Sequence, residues 1–149
     1  MNAGYLLDTS VISMLAPGRE AHLGAGVSDW LLAQSHQLFI PSIAIAELTQ
    51  GIAKLRRAGS IERANRLNHW LERLLAGYGD RILPLDASAA VVAGQLSDAA
   101  IAIGRHPGFS DVAIAAIAQR AKLVILTRNL KHFEPLGVAC TDPFNQLPH

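Results

Sequence analysis

The feature that most constrains this chain is a series of very short apolar runs, each followed by a segment of helical length. Tyr5-Leu6-Leu7, Leu38-Phe39-Ile40, Arg81-Ile82-Leu83 and Leu123-Val124-Ile125-Leu126 are the runs. Strands of three or four residues alternating with longer helices build a parallel sheet covered by helices on both faces. Val138 and Ala139 add a candidate last strand. The fold class is therefore α/β, with one domain over residues 1–149 and a short, mostly parallel central sheet of about four to five strands flanked by helices.

The helices are readable from caps and periodicity. Thr9 and Ser10 cap a helix through Val11 to Leu15, which Pro17-Gly18 breaks, and Gly24-Ala25-Gly26 marks a loop before an apolar pattern from Val27. Ser42 caps a helix carrying Ile43, Ile45, Glu47, Leu48 and Ile52. From Ser60 to Ala76, Ile61, Ala64, Leu67, Leu71, Leu74 and Leu75 recur at steps of three and four, an amphipathic helix. Asp86 caps an alanine-rich helix reaching about Gly104, and Ser110 is the expected cap for Asp111 to Ala121.

A length of 149 residues suits a single core, and 50% hydrophobic with 17% charged residues excludes disorder. The longest apolar stretch, Val112 to Ala118, falls far short of the roughly 18 residues of a spanning helix. No membrane segment is expected, and Asp8 interrupts the first apolar segment before a signal-peptide core forms, so the expected location is cytoplasmic. The one cysteine, Cys140, reads as a small buried thiol. A formal charge of +1 does not by itself argue for nucleic acid. Arg56, Arg57, Arg63, Arg66 and Arg73 are clustered, which reads first as a solvated helix face and second as a phosphate-tracking surface.

Three acids stand where ligands bind in such sheets, at the carboxyl ends of strands. Asp8 ends the first run, although a strand-to-helix turn alone would also use Asp-Thr-Ser. Glu47 lies about one helical turn past the second strand among apolar neighbours; alone, it could equally point to solvent or pair with an arginine. Asp111 opens a helix whose next seven residues are all apolar, where a charge at the first turn also serves the helix dipole. Their convergence separates the readings, because clustered carboxylates stay ionised together only around a cation. Oxygen ligands without a His or Cys cluster suit Mg²⁺, with Mn²⁺ as substitute, better than zinc. Such ions activate water for in-line attack on a phosphodiester.

Leu6-Leu7-Asp8-Thr9-Ser10-Val11-Ile12-Ser13, Ile45-Ala46-Glu47-Leu48-Thr49-Gln50-Gly51-Ile52, Phe109-Ser110-Asp111-Val112-Ala113-Ile114-Ala115-Ala116 and Leu126-Thr127-Arg128-Asn129 resemble the successive motifs of PIN-domain toxins, the VapC group. Arg81 to Asp86 and Asp142-Pro143-Phe144 also look like this family. The resemblance implies a Mg²⁺-dependent endoribonuclease acting on cellular RNA, commonly tRNA or ribosomal RNA, that dimerises and is silenced by a cognate antitoxin. Asp8, Glu47 and Asp111 match the family's three principal acids as catalytic and metal-holding residues. Asn129 falls near a fourth acidic position, and His132 stands where a further acid is often seen; His106 and His132 otherwise read as surface or turn histidines. Ser10, Thr127 and Asn129 are candidates for supporting hydrogen bonds.

Two other functions compete. The neutral Asn129 motivates a catalytically weak PIN-like protein that binds RNA or a partner as a regulator. A receiver-type phosphorylation domain would want paired acids after the first strand, where Asp8 is alone.

Overall fold

Tyr5, Leu6 and Leu7 are all buried, and alternation sends them to opposite faces: Leu6 joins one hydrophobic cluster, Tyr5 and Leu7 another. A strand buried on both faces belongs at the centre of a covered sheet, and the computed structural model, which describes residues 4–148, puts it there. Strands Tyr5–Leu7 (β1), Leu38–Pro41 (β2), Ile82–Leu83 (β3), Val124–Leu126 (β4) and Cys140–Thr141 (β5) form one sheet in the order β3-β2-β1-β4-β5. Every pair is parallel. The chain builds outward from β1 through β2 to β3, then crosses to the other side for β4 and β5. That reversal opens a crevice at the carboxyl ends of β1 and β4.

The helices are Thr9–Ile12 (α1), Glu20–Leu23 (α2), Ala25–Ala33 (α3), Ser42–Arg57 (α4), Ile61–Tyr78 (α5), Ala87–Ala102 (α6), Phe109–Ala121 (α7) and Leu130–Phe133 (α8). On one face, α7 buries every residue from Val112 to Ala118, and its alanines meet Ala89, Ala93 and Ala100 of α6 in the same cluster as Leu6 and Ile125. Small side chains there let two helices and the sheet approach closely. On the other face, Val11, Ile12, Leu31, Ile40 and Ala44 pack with Leu7 and Leu126. Each large aliphatic side chain so buried contributes roughly 1.5–3 kcal/mol. The α4–α5 pair carries a smaller cluster of Ile52, Ala64 and Leu71, and Arg56, Arg57, Arg63, Arg66 and Arg73 are exposed.

Several sequence expectations shift at element boundaries. The helix expected through Val11 to Leu15 is one α turn followed by a 3-10 turn at Ser13–Leu15, and Asp8, not Thr9 or Ser10, occupies its N-cap. Gly24 does break the chain, between α2 and α3, but Ala25 and Gly26 are helical. Ser42 is the first residue of α4, with Pro41 as N-cap. Helix α7 starts at Phe109, because Gly108, extended after Pro107, takes the N-cap position that Ser110 was expected to hold. The last strand is Cys140–Thr141, and Ala139 contributes only its carbonyl, which accepts the Ile125 N–H at 2.9 Å. Gly137, at φ +71°, turns the chain before it. Arg81 stands outside β3 as a clamp, its Nη1 donating to the carbonyls of Ser35 and Leu38 at 2.8 and 2.7 Å. Asp86 caps α6 as expected, accepting the Ala89 N–H at 2.9 Å. Cys140 is half-buried, and burial followed by the nearby Glu134 pushes its thiol pKa up, which keeps it protonated and unreactive. No described helix is long and apolar enough to cross a membrane.

Candidate active site

The end of β1 makes the site. Asp8 N–H continues the sheet ladder to the Leu126 carbonyl at 2.9 Å, and the Asp8 carbonyl accepts the N–H groups of Val11 and Ile12. Its backbone thus caps α1, and the side chain makes no capping bond. The carboxylate is held instead by two hydroxyls, both on Oδ2: Ser10 donates at 2.7 Å and Thr127 at 2.9 Å. Thr127, fully buried at the end of β4, also accepts the Asn129 N–H at 2.9 Å, and Ser10 accepts the Arg128 N–H at 3.1 Å. A buried carboxylate is tolerated because charge-assisted hydrogen bonds replace part of its hydration.

The other two acids are held in the same manner. Thr9 Oγ1 donates to Glu47 Oε1 at 2.7 Å, joining α1 to the second turn of α4. His132 Nδ1 lies 3.3 Å from Asp111 Oδ2, joining α8 to the first turn of α7. Each carboxylate is therefore steadied through one oxygen, and Asp8 Oδ1, Glu47 Oε2 and Asp111 Oδ1 have no hydrogen-bond partner among the described residues. All three acids line one open cavity of about 390 Å³, with Thr9, Ser10, Asn129, His132 and the segment Gly108–Ser110.

Among the described residues, no three His, Cys, Asp or Glu side chains stand close enough to enclose a bare ion. That geometry disfavours a structural zinc site. It suits a hydrated hard cation, since magnesium keeps several waters and takes only one or two direct carboxylates. The donor set, oxygen throughout, fits the same ion. Crowding leaves its mark on Asp111: burial, opposed by His132 and reinforced by the negative charges of Asp8 and Glu47, raises its carboxyl pKa. A carboxyl whose pKa is raised by folding binds its proton more tightly in the folded state. Its stabilising contribution is present at low pH and is lost as pH rises through the raised value. In chelator, Asp111→Asn should therefore gain thermal stability over the parent protein as pH climbs from about 4 towards 7. A melting-point difference that stays flat or moves the other way would contradict the raised pKa, whose first cause is burial.

The structure brings Asp8, Glu47 and Asp111 to one cavity, with Ser10, Thr127 and Asn129 around it; the Asn129 side chain lines the space without a hydrogen bond. Two residues were not read as part of the site. Thr9 was taken for a cap, and its partner 38 residues away is visible only once β1 and β2 are paired with Leu6 beside Phe39. His132 was noted where a further acid is often seen and otherwise read as a surface or turn histidine, and its contact with Asp111 needs the register of β4 against β1. Of the clustered arginines, Arg63 borders a second groove of about 250 Å³, which shares Thr9 and Glu47 with the acidic cavity and is walled by Leu48, Ile52, Leu55 and Trp70.

A PIN domain family profile matches residues 5–135. The chain is 31% identical over 142 residues to toxin FitB of Neisseria gonorrhoeae, covering 94% of this chain and 98% of that protein. It is 33% identical over 142 residues to VapC ribonuclease Y4jK of Sinorhizobium fredii, covering 93% and 96%. Among solved structures it resembles FitAcB from Neisseria gonorrhoeae with a TM-score of 0.80 and 31% identity, over 94% of this chain and 98% of that one.

Proposed function

This chain belongs to the PIN domain family, and from that premise we propose that it is a Mg²⁺-dependent endoribonuclease, the toxin of a toxin–antitoxin pair, cutting cellular RNA such as tRNA or rRNA. The observation that carries the proposal is the shared arrangement of Asp8, Glu47 and Asp111, each held by a hydroxyl or imidazole through one oxygen with the other left unbonded at one cavity. Likeness to a protein named VapC ribonuclease supports the same chemistry. Asp8 and Asp111, with Glu47, would hold the ion, which supplies Lewis acidity and an activated water. Ser10 and Thr127 keep Asp8 in position. Thr9 does the same for Glu47. Asn129 brings no charge, so these three acids carry the site.

The test is cleavage of total cellular RNA by the purified protein with Mg²⁺ or Mn²⁺ and with EDTA. Cleavage confined to the metal-containing reactions is the expected result. Tight RNA binding without cleavage under either metal would replace the nuclease with a PIN-like binding regulator.

Regulation follows from the same charges. A cognate antitoxin would silence the protein by placing a basic side chain among the three acids, as a charge-assisted substitute for the ion. The apolar groove beside α4 and α5 adjoins the cavity at Thr9 and Glu47 and is where its peptide would lie. A co-purified complex that binds metal and cuts RNA like the free protein would rule this out. Pairing of two copies belongs to the proposal as well, with exposed Val91, Ile101 and Ile103 as apolar surface, and a monomeric mass in solution would remove it.

A further inference from the structure

Beside the acidic cavity lies a second one of opposite charge. It measures about 340 Å³ and is lined by Arg105, His106, Lys131 and His132, with Asp111 its single carboxylate. Gly108, Asp111 and His132 border both spaces, so the two adjoin. Among the described residues, neither the Arg105 guanidinium nor the Lys131 ammonium makes a hydrogen bond or ion pair. The backbone fixes their placement: the Arg105 N–H donates to the Ala100 carbonyl at 2.9 Å, folding the end of α6 back on itself, and Lys131 lies within α8. Phe109, in the first turn of α7 and next in sequence to Gly108, which borders both spaces, lines the acidic cavity yet is 66% exposed. About two thirds of this residue is left in water, and it belongs to none of the hydrophobic clusters among the described residues.

Unpaired cations in a pocket and an exposed aromatic ring on the adjoining cavity are the two parts of a single-strand nucleic-acid surface. The cations track the backbone and the ring stacks a base without regard to its identity. We propose that this pocket seats a backbone phosphate of single-stranded RNA next to the cleaved linkage, with Arg105 and Lys131 on the phosphate and Phe109 under an adjacent base. The assignment rests on the nuclease reading for its direction, since it gives the strand a path from the basic pocket into the acidic cavity. It names a strand that is unpaired at the cut, because a base held in a duplex cannot reach the ring.

The test is binding of a fluorescent single-stranded oligoribonucleotide to the purified full chain in EDTA, followed by anisotropy across a salt series. Arg105→Gln with Lys131→Gln should weaken binding about tenfold more than Arg57→Gln with Arg73→Gln, which removes equal charge from α4 and α5. The dependence of log affinity on log salt should fall by about 0.7, the value for one phosphate neutralised on a single strand. Phe109→Ala should weaken binding about tenfold with the salt slope unchanged. Lys131→Arg should bind like the parent. Equal losses from both charge pairs, an unaffected Phe109→Ala protein, equal affinity for duplex RNA, or equally effective competition by polyglutamate would each overturn the assignment. Cleavage with Mg²⁺ separates the two readings. Should the parent cut nothing while the binding pattern holds, the nuclease falls and the strand site stands. Should the Arg105/Lys131 variant bind and cut like the parent, the strand site falls alone.

Discussion

Asp8→Asn should lower RNA cleavage by on the order of a thousandfold, a loss of about 4 kcal/mol of transition-state stabilisation, while leaving the protein folded. The reason lies in the two hydroxyls on Oδ2. Asparagine has one acceptor oxygen, and Ser10 and Thr127 both donate towards that place, so the amide oxygen takes it and the NH₂ group replaces Oδ1. A donor then lines the cavity where the parent offers an anionic acceptor, and a cation is repelled. Folding is spared because the hydroxyl bonds survive and one of three mutually repelling charges is gone. Asp111→Asn should show a comparable loss of cleavage, with its Oδ2 contact to His132 open to rearrangement. The check is a single-turnover cleavage rate with Mg²⁺ beside a chelator melting curve for each variant. Retention of the rate within tenfold of the parent in both variants would move the chemistry away from these carboxylates. Recovery at raised Mn²⁺ would instead identify weakened ion binding as the defect.

The parallel sheet was legible because β1 and β4 are buried on both faces and so consist of uninterrupted apolar residues, and the acids because Asp8 ends the first strand while Glu47 and Asp111 interrupt apolar patterns early in their helices. What was lost were boundaries and partners. Ser110 has the side chain of a cap, but the Pro107-Gly108 step sets the extended geometry first and starts α7 two residues earlier than expected. Thr9 and Ser10 look like caps for the same reason that they serve the site: a short hydroxyl side chain beside a strand end can turn to the backbone or to a carboxylate. Only the fold decides, by bringing Glu47 to one and Asp8 with the Arg128 N–H to the other. His132 shows the limit more sharply. Its spacing to Asn129 was visible, but its neighbour Asp111 lies across a strand and a helix, and no local pattern encodes that distance. Arg105 and Lys131 are likewise unremarkable in sequence, since a pocket between a helix end and a later short helix exists only in three dimensions.

Thr127→Val should cost about 2 kcal/mol of stability and 10- to 100-fold in cleavage together, since one hydroxyl serves both. Thr127 is fully buried, and its Oγ1 donates to Asp8 Oδ2 at 2.9 Å while accepting the Asn129 N–H at 2.9 Å. Valine keeps the shape and the packing of the β-branched side chain but leaves that N–H without its partner and Asp8 with Ser10 as its remaining hydroxyl donor. For a chain of this length the stability loss corresponds to a melting point lower by about 4–8 °C. Thr127→Ser separates the two roles, because it keeps the hydroxyl and removes only the methyl group, at about 1 kcal/mol for the small cavity left. If the hydroxyl positions the catalytic carboxylate, the serine protein should cleave near the parental rate despite melting lower, and the valine protein should not. Equal cleavage by both, with valine melting lower, would reduce Thr127 to a structural link between β4 and α8. Equal impairment of both would mean that the site depends on the methyl packing that holds the β4 end against β1, and that Asp8 is positioned by the sheet more than by its hydroxyl partners.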